Sequence, residues 1–526
     1  MELSEIRTQW DLLVIGGGIA GAGILSEAAR LGIRVLLCEE RDFAWGTSSR
    51  SSKLVHGGLR YLKEGRFHLT HESVIHRQRL LAEAPGLVTP IPFLMPIHKG
   101  MGPGRLATKI GLSIYDMMAG RWGHRYLAQE EFLWLAPGLG RAGLQGGFLF
   151  QDAQTDDARL VLRLIFEAEQ RGATALNYTR VLGLSRDRSG MVSGASLQDT
   201  DTGQGLEVQA KAVINATGPR AGSFHDPPDP GLGLRPLRGS HLVFPHWRLP
   251  VHSAITLIHP QDHRPLFVFP WEGAVILGTT DVDHTEELSQ EPTMSPQEAL
   301  YMMECLEFHF PSWEVKLEEA LSAYSGVRAV LSRDPSRPPS RESREHMVWK
   351  DRGLVTVTGG KLTTFRVLAR DALHAAAQEL GLTGKLDLSP PAYEPDGRPP
   401  ALGSRVSSQT WRRLWGRYGT EANRILDAAE PEELEAIPGT RILWAELAHA
   451  AAHEKVRHLE DLLLRRVRLG ILTRDGGMEH LERIKKICLP RLGWDEGRWE
   501  REKGAYMRTI RRAYGVPEVP GAPLDS

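Results

Sequence analysis

Trp10-Asp11-Leu12-Leu13-Val14-Ile15-Gly16-Gly17-Gly18-Ile19-Ala20-Gly21 begins the stretch whose reading decides the fold. The apolar run breaks into three glycines, a helix-like segment follows, and a second apolar run from Ile33 to Cys38 ends at Glu39. The pattern predicts a strand, a tight turn, a helix and a strand closed by an acid. Gly16 lets the chain turn sharply, Gly18 offers no side chain to obstruct a pyrophosphate, and Gly21 lets helix and strand approach closely. The pyrophosphate would rest on amides at the helix N-terminus, and Glu39, about 20 residues on, would accept hydrogen bonds from an adenosine ribose. A glycine turn alone is common in loops. Here strand, helix, strand and acid all fall where dinucleotide binding needs them.

At 526 residues the chain exceeds one ordinary core, so two or three domains are expected. Apolar content of 41% and charged content of 25% are those of a soluble globular protein. Its 64 basic and 65 acidic residues nearly cancel, which gives no electrostatic argument for nucleic acid. Cys38, Cys305 and Cys488 stand far apart, against a disulfide scaffold or cysteine-rich metal site and in keeping with a reducing cytoplasm. Met1 to Trp10 lacks the basic-then-apolar layout of a secretory signal. No apolar run reaches the roughly 18 residues of a spanning helix, so any membrane contact is expected to be peripheral.

Strand-like runs recur at Val181 to Leu184, Ala212 to Ala216, Leu266 to Phe269, Ala274 to Leu277 and Leu354 to Thr358, with a helical segment from Asp157 to Arg171. The mixture reads as α/β with an additional sheet. Proline-rich breaks fall at Asp226 to Pro230, Pro335 to Pro339 and Pro390 to Pro400. Beyond the last, strand signals fade, which predicts a Pro-rich linker at 391–400 and a C-terminal helical domain over 401–526.

Three further segments carry chemistry. Thr47, Ser48, Ser49, Ser51 and Ser52 precede Lys53, Leu54, His56 and paired glycines, a composition able to wrap a phosphate and bring backbone against a flat cofactor. The run Ala212 to Asn215 ends in Ala216-Thr217-Gly218, which reads as a second contact to a bound dinucleotide. Val355 to Thr358 runs through Gly359-Gly360-Lys361-Leu362-Thr363-Thr364 into a helix. Helix amides there would favour anionic charge on a reduced flavin ring.

The segments Gly16 to Ile24, Thr47 to Leu62, Asp156 to Val161, Asn215 to Pro219, Gly239 to Phe244, Gly278 to Asp281, Tyr324 to Arg328 and Gly359 to Arg366, in that order, closely resemble the FAD-dependent glycerol-3-phosphate dehydrogenases. The resemblance spans about residues 10 to 370, and Val456 to Arg466 is similar to that family's C-terminal helical domain. It implies a Rossmann-like FAD-binding domain of the D-amino-acid-oxidase and glutathione-reductase type, a mixed-sheet substrate domain and a C-terminal α-helical domain. FAD segments are expected at about 8–85, 150–235 and 325–385 of a region spanning 1–390, interleaved with substrate segments at about 86–149 and 236–324. Implied with it are tightly bound FAD, oxidation of sn-glycerol 3-phosphate to dihydroxyacetone phosphate, and a membrane quinone as acceptor, reached peripherally from the cytoplasmic face. A related oxidase branch reduces oxygen instead. A homodimer is compatible with this reading.

By that resemblance Arg60 and Arg344 hold the phosphate, with Tyr61 adding a hydroxyl; Arg344 is preferred to Arg341 for its spacing to the run His346 to Trp349. A dianion leaving water requires such charge-assisted clamping. Arg328 and Lys361 would lie by the reacting C2 hydroxyl, with Thr364 close by, and Val181 joins the cofactor contacts. His56 and His241 are both candidates for the group that takes the hydroxyl proton, and sequence does not separate them. Arg328 and Lys361 could act there electrostatically instead. His68, His71 and His76 lack a matching carboxylate or cysteine set, so no metal is assigned. Arg105 to Tyr126 mixes cations with Leu, Ile, Met and Trp, which suits an interfacial helix.

Overall fold

The glycine turn joins a strand, Gln9–Ile15, to a helix, Ile19–Arg30, and the Val35–Cys38 strand lies parallel beside the first. This is a computed structural model, and it describes residues 3–59, 62, 65–224, 234–332, 345–384, 386–394 and 405–519. Among the described residues the first sheet has eight strands. Its parallel heart runs Leu354–Gly359, Gly205–Asn215, Gln9–Ile15, Val35–Cys38 and Thr174–Leu176 in spatial order. Strand alternation divides its apolar residues between two cores. Leu12, Val14, Ile214 and Val355 face the helices Ile19–Arg30, Asp157–Gln170 and Phe365–Ala375, whereas Leu13, Ile15, Val213 and Leu354 face an antiparallel ribbon, Thr179–Arg186 with Val192–Asp199. Because the strands are parallel, their carboxyl ends share one edge, the place where open α/β sheets bind ligands.

A second sheet has ten strands among the described residues. One face packs on the helix Pro296–His309 through Leu242, Phe244, Val275 and Leu277. The other, carrying Val243, Ile276 and Phe269, is continuous with a core that includes Trp444, Ile484 and Trp499 from the C-terminal helices. The C-terminal region is therefore helical as expected, and many of its apolar residues belong to a core continuous with the second sheet. Among the described residues, a smaller cluster around Trp411, Trp415 and Ile425 is local to this region.

Buried ion pairs tie the same region to the nucleotide-binding part. Asp42 meets Arg465 and Arg466 at 2.5 and 2.6 Å, Arg417 meets Asp156 at 2.8 Å, and Arg159 meets Glu454 at 2.5 Å. Burial alone pushes Asp156 up, but Arg417 and Arg468 outweigh it and hold the carboxyl down to about 2.

The expected interfacial helix is shorter than its composition suggested: it spans Gly104–Ala119, and Gly120 in the left-handed conformation ends it. Arg125 and Tyr126 belong to the following strand, Arg125–Ala128, which pairs with the second sheet. Among the described residues no helix is long and apolar enough to cross a membrane.

Candidate active site

Three turns meet at the carboxyl edge of the first sheet. Gly16 has a φ of 108°, and a side chain there would meet the Ala216 carbonyl oxygen at 2.7 Å. A Cβ on Gly21 would lie 1.9 Å from the Gly16 carbonyl oxygen, so helix and turn touch backbone to backbone. Gly218 accepts a hydrogen bond from Thr358 Oγ1 at 3.1 Å, joining the second turn to the third, where Gly359 and Gly360 both have positive φ. Thr217 is set by its hydroxyl on Asn215 Oδ1 at 2.7 Å. The helix beginning at Ile19 has no side-chain cap from Gly18 itself; instead Ser48 Oγ accepts from the Ile19 amide at 2.9 Å. Glu39 accepts from the Gly17 and Arg41 amides at 2.6 and 3.0 Å, and burial raises its pKa despite them. Val181 is buried in the ribbon, close to where the Thr179 amide bonds the Glu39 carbonyl. A side-chain-free turn, a helix N-terminus and an acid at the next strand end fit the pyrophosphate and ribose of a dinucleotide.

The hydroxyl-rich segment crosses from this edge to the second sheet. Thr47–Ser49 forms a short 3-10 turn, and the Thr47 hydroxyl bonds the Val327 carbonyl. Lys53 has its ammonium fully buried on Asp157 at 2.8 and 2.9 Å and on the Ser49 carbonyl at 2.6 Å. Burial and Arg468 draw Lys53 down to about 7, with Asp157 opposing. Asp157 also accepts from the Ser51 amide and hydroxyl at 2.8 and 2.7 Å. Leu54 and Val55 then pair with the second sheet, and half-buried His56 follows. Behind it, Tyr115 accepts from the Gly57 amide at 2.9 Å and from Arg77 at 2.7 Å while donating to Asp152 at 2.9 Å.

The second sheet supplies a wall. In the strands Leu234–Pro245 and Ser322–Leu331, His241 lies opposite Tyr324, Gly239 opposite Gly326, and Leu237 opposite Arg328, so these side chains share a face. His241 is fully buried, stacks on Tyr324 with centroids 4.6 Å apart, and holds Ser52 Oγ at 2.8 Å through Nε2. Burial, with Arg328 and Lys53 nearby, drives its pKa well below the usual histidine value, so it stays neutral. Lys361 donates to Ser73 Oγ at 2.9 Å on the helix Phe67–Glu83. Leu362, Thr363 and Thr364 form one 3-10 turn, with Thr363 and Thr364 buried, leading into the helix that starts at Phe365.

The structure thus brings together Gly16, Gly18, Gly21, Glu39, Ser48, Ala216, Gly218 and Gly359 along one edge. The wall of His241 and Arg328 is reached through Thr47 and Ser52. Arg60, Tyr61 and Arg344 lie outside the described residues. His68 and His71 are exposed, and burial with Arg79 lowers His76 to about 4. Among the described residues no group of three or more His, Cys, Asp or Glu side chains could hold a metal ion. Sequence reasoning missed Asp157 as the holder of Ser51 and Lys53, although the acid pair Asp156-Asp157 at a helix start was a signal for it. It also missed the Tyr115–Arg77–Asp152 group, which arrives from separate parts of the chain and leaves no local signature.

A glycine-turn helix on a parallel sheet, an acid at the second strand end and a second sheet walling the same edge define an FAD-dependent oxidoreductase. Residues 11–370 match the profile described as FAD dependent oxidoreductase, and residues 360–499 match the C-terminal domain of alpha-glycerophosphate oxidase. The chain is 32% identical over 486 residues to the aerobic glycerol-3-phosphate dehydrogenase of Staphylococcus aureus, covering 87% of this chain and 86% of that one. It is similar in structure to the glycerol-3-phosphate dehydrogenase of Bacillus halodurans complexed with FAD, with a TM-score of 0.77, 27% identity and coverage of 98% and 97% of the two chains. An FAD-bound L-alpha-glycerophosphate oxidase from Mycoplasma pneumoniae shares the fold at a TM-score of 0.56 and 17% identity over 74% of this chain and 99% of that one. The chain belongs to the FAD-dependent glycerol-3-phosphate dehydrogenase family.

Proposed function

We propose that the protein oxidises sn-glycerol 3-phosphate to dihydroxyacetone phosphate and passes the electrons to a quinone. What carries the reading is the extent of the match to the curated dehydrogenases together with a nucleotide edge facing a wall of Arg328 and His241. FAD held on that edge would supply a two-electron acceptor for the hydrogen that leaves the substrate C2. The glycine edge and Glu39 hold the cofactor; Arg60, Tyr61 and Arg344 clamp the phosphate; Arg328 and Lys361 stabilise the developing alkoxide, with Thr364 beside them.

His56 is the proton acceptor we favour. A base must reach substrate and bind a proton near neutral pH, whereas His241 is buried and its protonation is opposed by Arg328 and Lys53. His241 instead orients Ser52. Anaerobic addition of sn-glycerol 3-phosphate bleaches the flavin band near about 450 nm if the substrate is right. Rapid reoxidation by a soluble quinone with slow reoxidation by air then supports the dehydrogenase, and the reverse order supports the oxygen-reducing alternative. A peripheral membrane position is part of the proposal: Leu106, Ile110, Met117 and Trp122 are exposed beside exposed Arg105, Lys109 and Arg121. The cytoplasmic face and a homodimer complete it.

A further inference from the structure

The segment Gly278-Thr279-Thr280-Asp281 belongs to the family-like series. It leaves the strand Ala274–Gly278 directly beside Arg328. Asp281 Oδ1 receives Arg328 Nη1 at 3.2 Å and Thr279 Oγ1 receives Arg328 Nη2 at 3.2 Å, so two oxygens from one short segment meet the two ends of the guanidinium. Asp281 is buried at its side chain, 3% exposed, whereas Arg328 keeps 20% exposure. Arg264 lies on the far carboxylate oxygen at 3.5 Å. The intervening space is kept clear: a Cβ on Gly239 would fall 2.3 Å from Arg328 Nη2 and 2.7 Å from Thr279 Oγ1. Thr280 faces the other way, donating to Glu298 Oε1 at 2.7 Å and receiving the Ser240 amide at 3.0 Å, which anchors the segment to the helix Pro296–His309.

We propose that Asp281, assisted by Thr279 and by the absence of a side chain at Gly239, is a positioning residue that sets the plane and direction of the Arg328 guanidinium toward the substrate. A long arginine side chain left without such partners samples several rotamers, and a forked donor loses its value once its plane is not held. The proposal rests on the reading that Arg328 faces glycerol 3-phosphate.

The test is a double-mutant cycle on the FAD-loaded enzyme. It follows anaerobic flavin bleaching across a series of sn-glycerol 3-phosphate concentrations, with flavin content and melting temperature measured in parallel. Asp281→Asn is expected to raise the half-saturating concentration by about tenfold or more with a smaller change in limiting rate, and Thr279→Val to shift it the same way but less. In an Arg328→Ala background, Asp281→Asn is expected to add less than about twofold, because the group it acts through is gone. An Asp281→Asn enzyme that saturates like wild type overturns the proposal, as does an equal loss with and without Arg328. Should Asp281→Asn lose its flavin or fold, Thr279→Val in both backgrounds decides the matter by the same criterion. A wild-type flavin that glycerol 3-phosphate does not reduce brings down the substrate reading, and the proposal with it; normal reduction with an insensitive Asp281 brings down the proposal alone.

Discussion

Gly21 shows how much of the cofactor edge depends on what is missing. Its hypothetical Cβ stands 1.9 Å from the Gly16 carbonyl oxygen, a backbone atom with nowhere to retreat. Gly21→Ala is expected to cost about 1 to 3 kcal/mol by overpacking and to yield protein with much less FAD, read from the ratio of flavin to protein absorbance. Gly111→Ala, where open space awaits a side chain, is the matched control and should keep its flavin. The close approaches at Gly16 and Gly21 were legible in sequence because strand, turn and helix are local and each demands a particular residue. The fate of Lys53 was not. A lysine after a run of hydroxyls looks like a phosphate ligand, and only the fold brings Asp157 to within 2.8 Å of its ammonium.

The strand Val88–His98 marks where periodicity failed. It contains Pro90, Pro92 and Pro96, which argue against a strand inside a sheet, yet it pairs along nearly its full length with Leu144–Thr155. All three prolines sit at even positions and so turn their missing N–H toward the same edge. That edge is paired with Ala254–Ile258 only at Phe93 and Leu94. The helix Asp157–Gln170 teaches the opposite lesson: its start was readable, but its cap Asp156 also forms a buried pair with Arg417 from the C-terminal region. Arg417→Met removes the nearer of the two arginines on that buried carboxylate, leaving Arg468 at 3.7 Å, and is expected to destabilise the protein by about 3 kcal/mol in denaturant unfolding. The pH dependence has a definite sign. Asp156 is held at about 2 against an ordinary 3.8, so its contribution is complete above about pH 4 and disappears as pH falls toward 2. Wild-type stability should fall through that window, and the Arg417→Met protein should show a shallower fall; parallel slopes would contradict the assignment.

The molecule as assembled places the nucleotide edge, the second sheet and the C-terminal helices in one connected body. A large helical region after a proline-rich break reads in sequence as separate, since neither shared cores nor buried Arg465 and Arg466 on Asp42 can be seen without the fold. Membrane contact belongs to this level too, because it needs a surface rather than a residue. The Gly104–Ala119 helix turns Leu112 and Tyr115 inward and leaves Leu106, Ile110 and Met117 outside, with Trp122 just beyond its end. Arg125 already pairs with Glu131, so Lys109 and Arg121 are the cations to reverse. Lys109→Glu with Arg121→Glu should abolish cosedimentation with anionic vesicles while flavin reduction by substrate stays normal; undiminished cosedimentation would remove this helix from the proposal. Transfer of the C2 hydrogen of glycerol 3-phosphate to FAD held on the glycine edge is the step proposed for this protein. Its most direct test compares, without oxygen, the bleaching of bound flavin by ordinary sn-glycerol 3-phosphate and by substrate carrying deuterium at C2. Both are expected to bleach the flavin, with deuterium slowing the process several-fold; a flavin that stays yellow with either substrate would rule out this transfer.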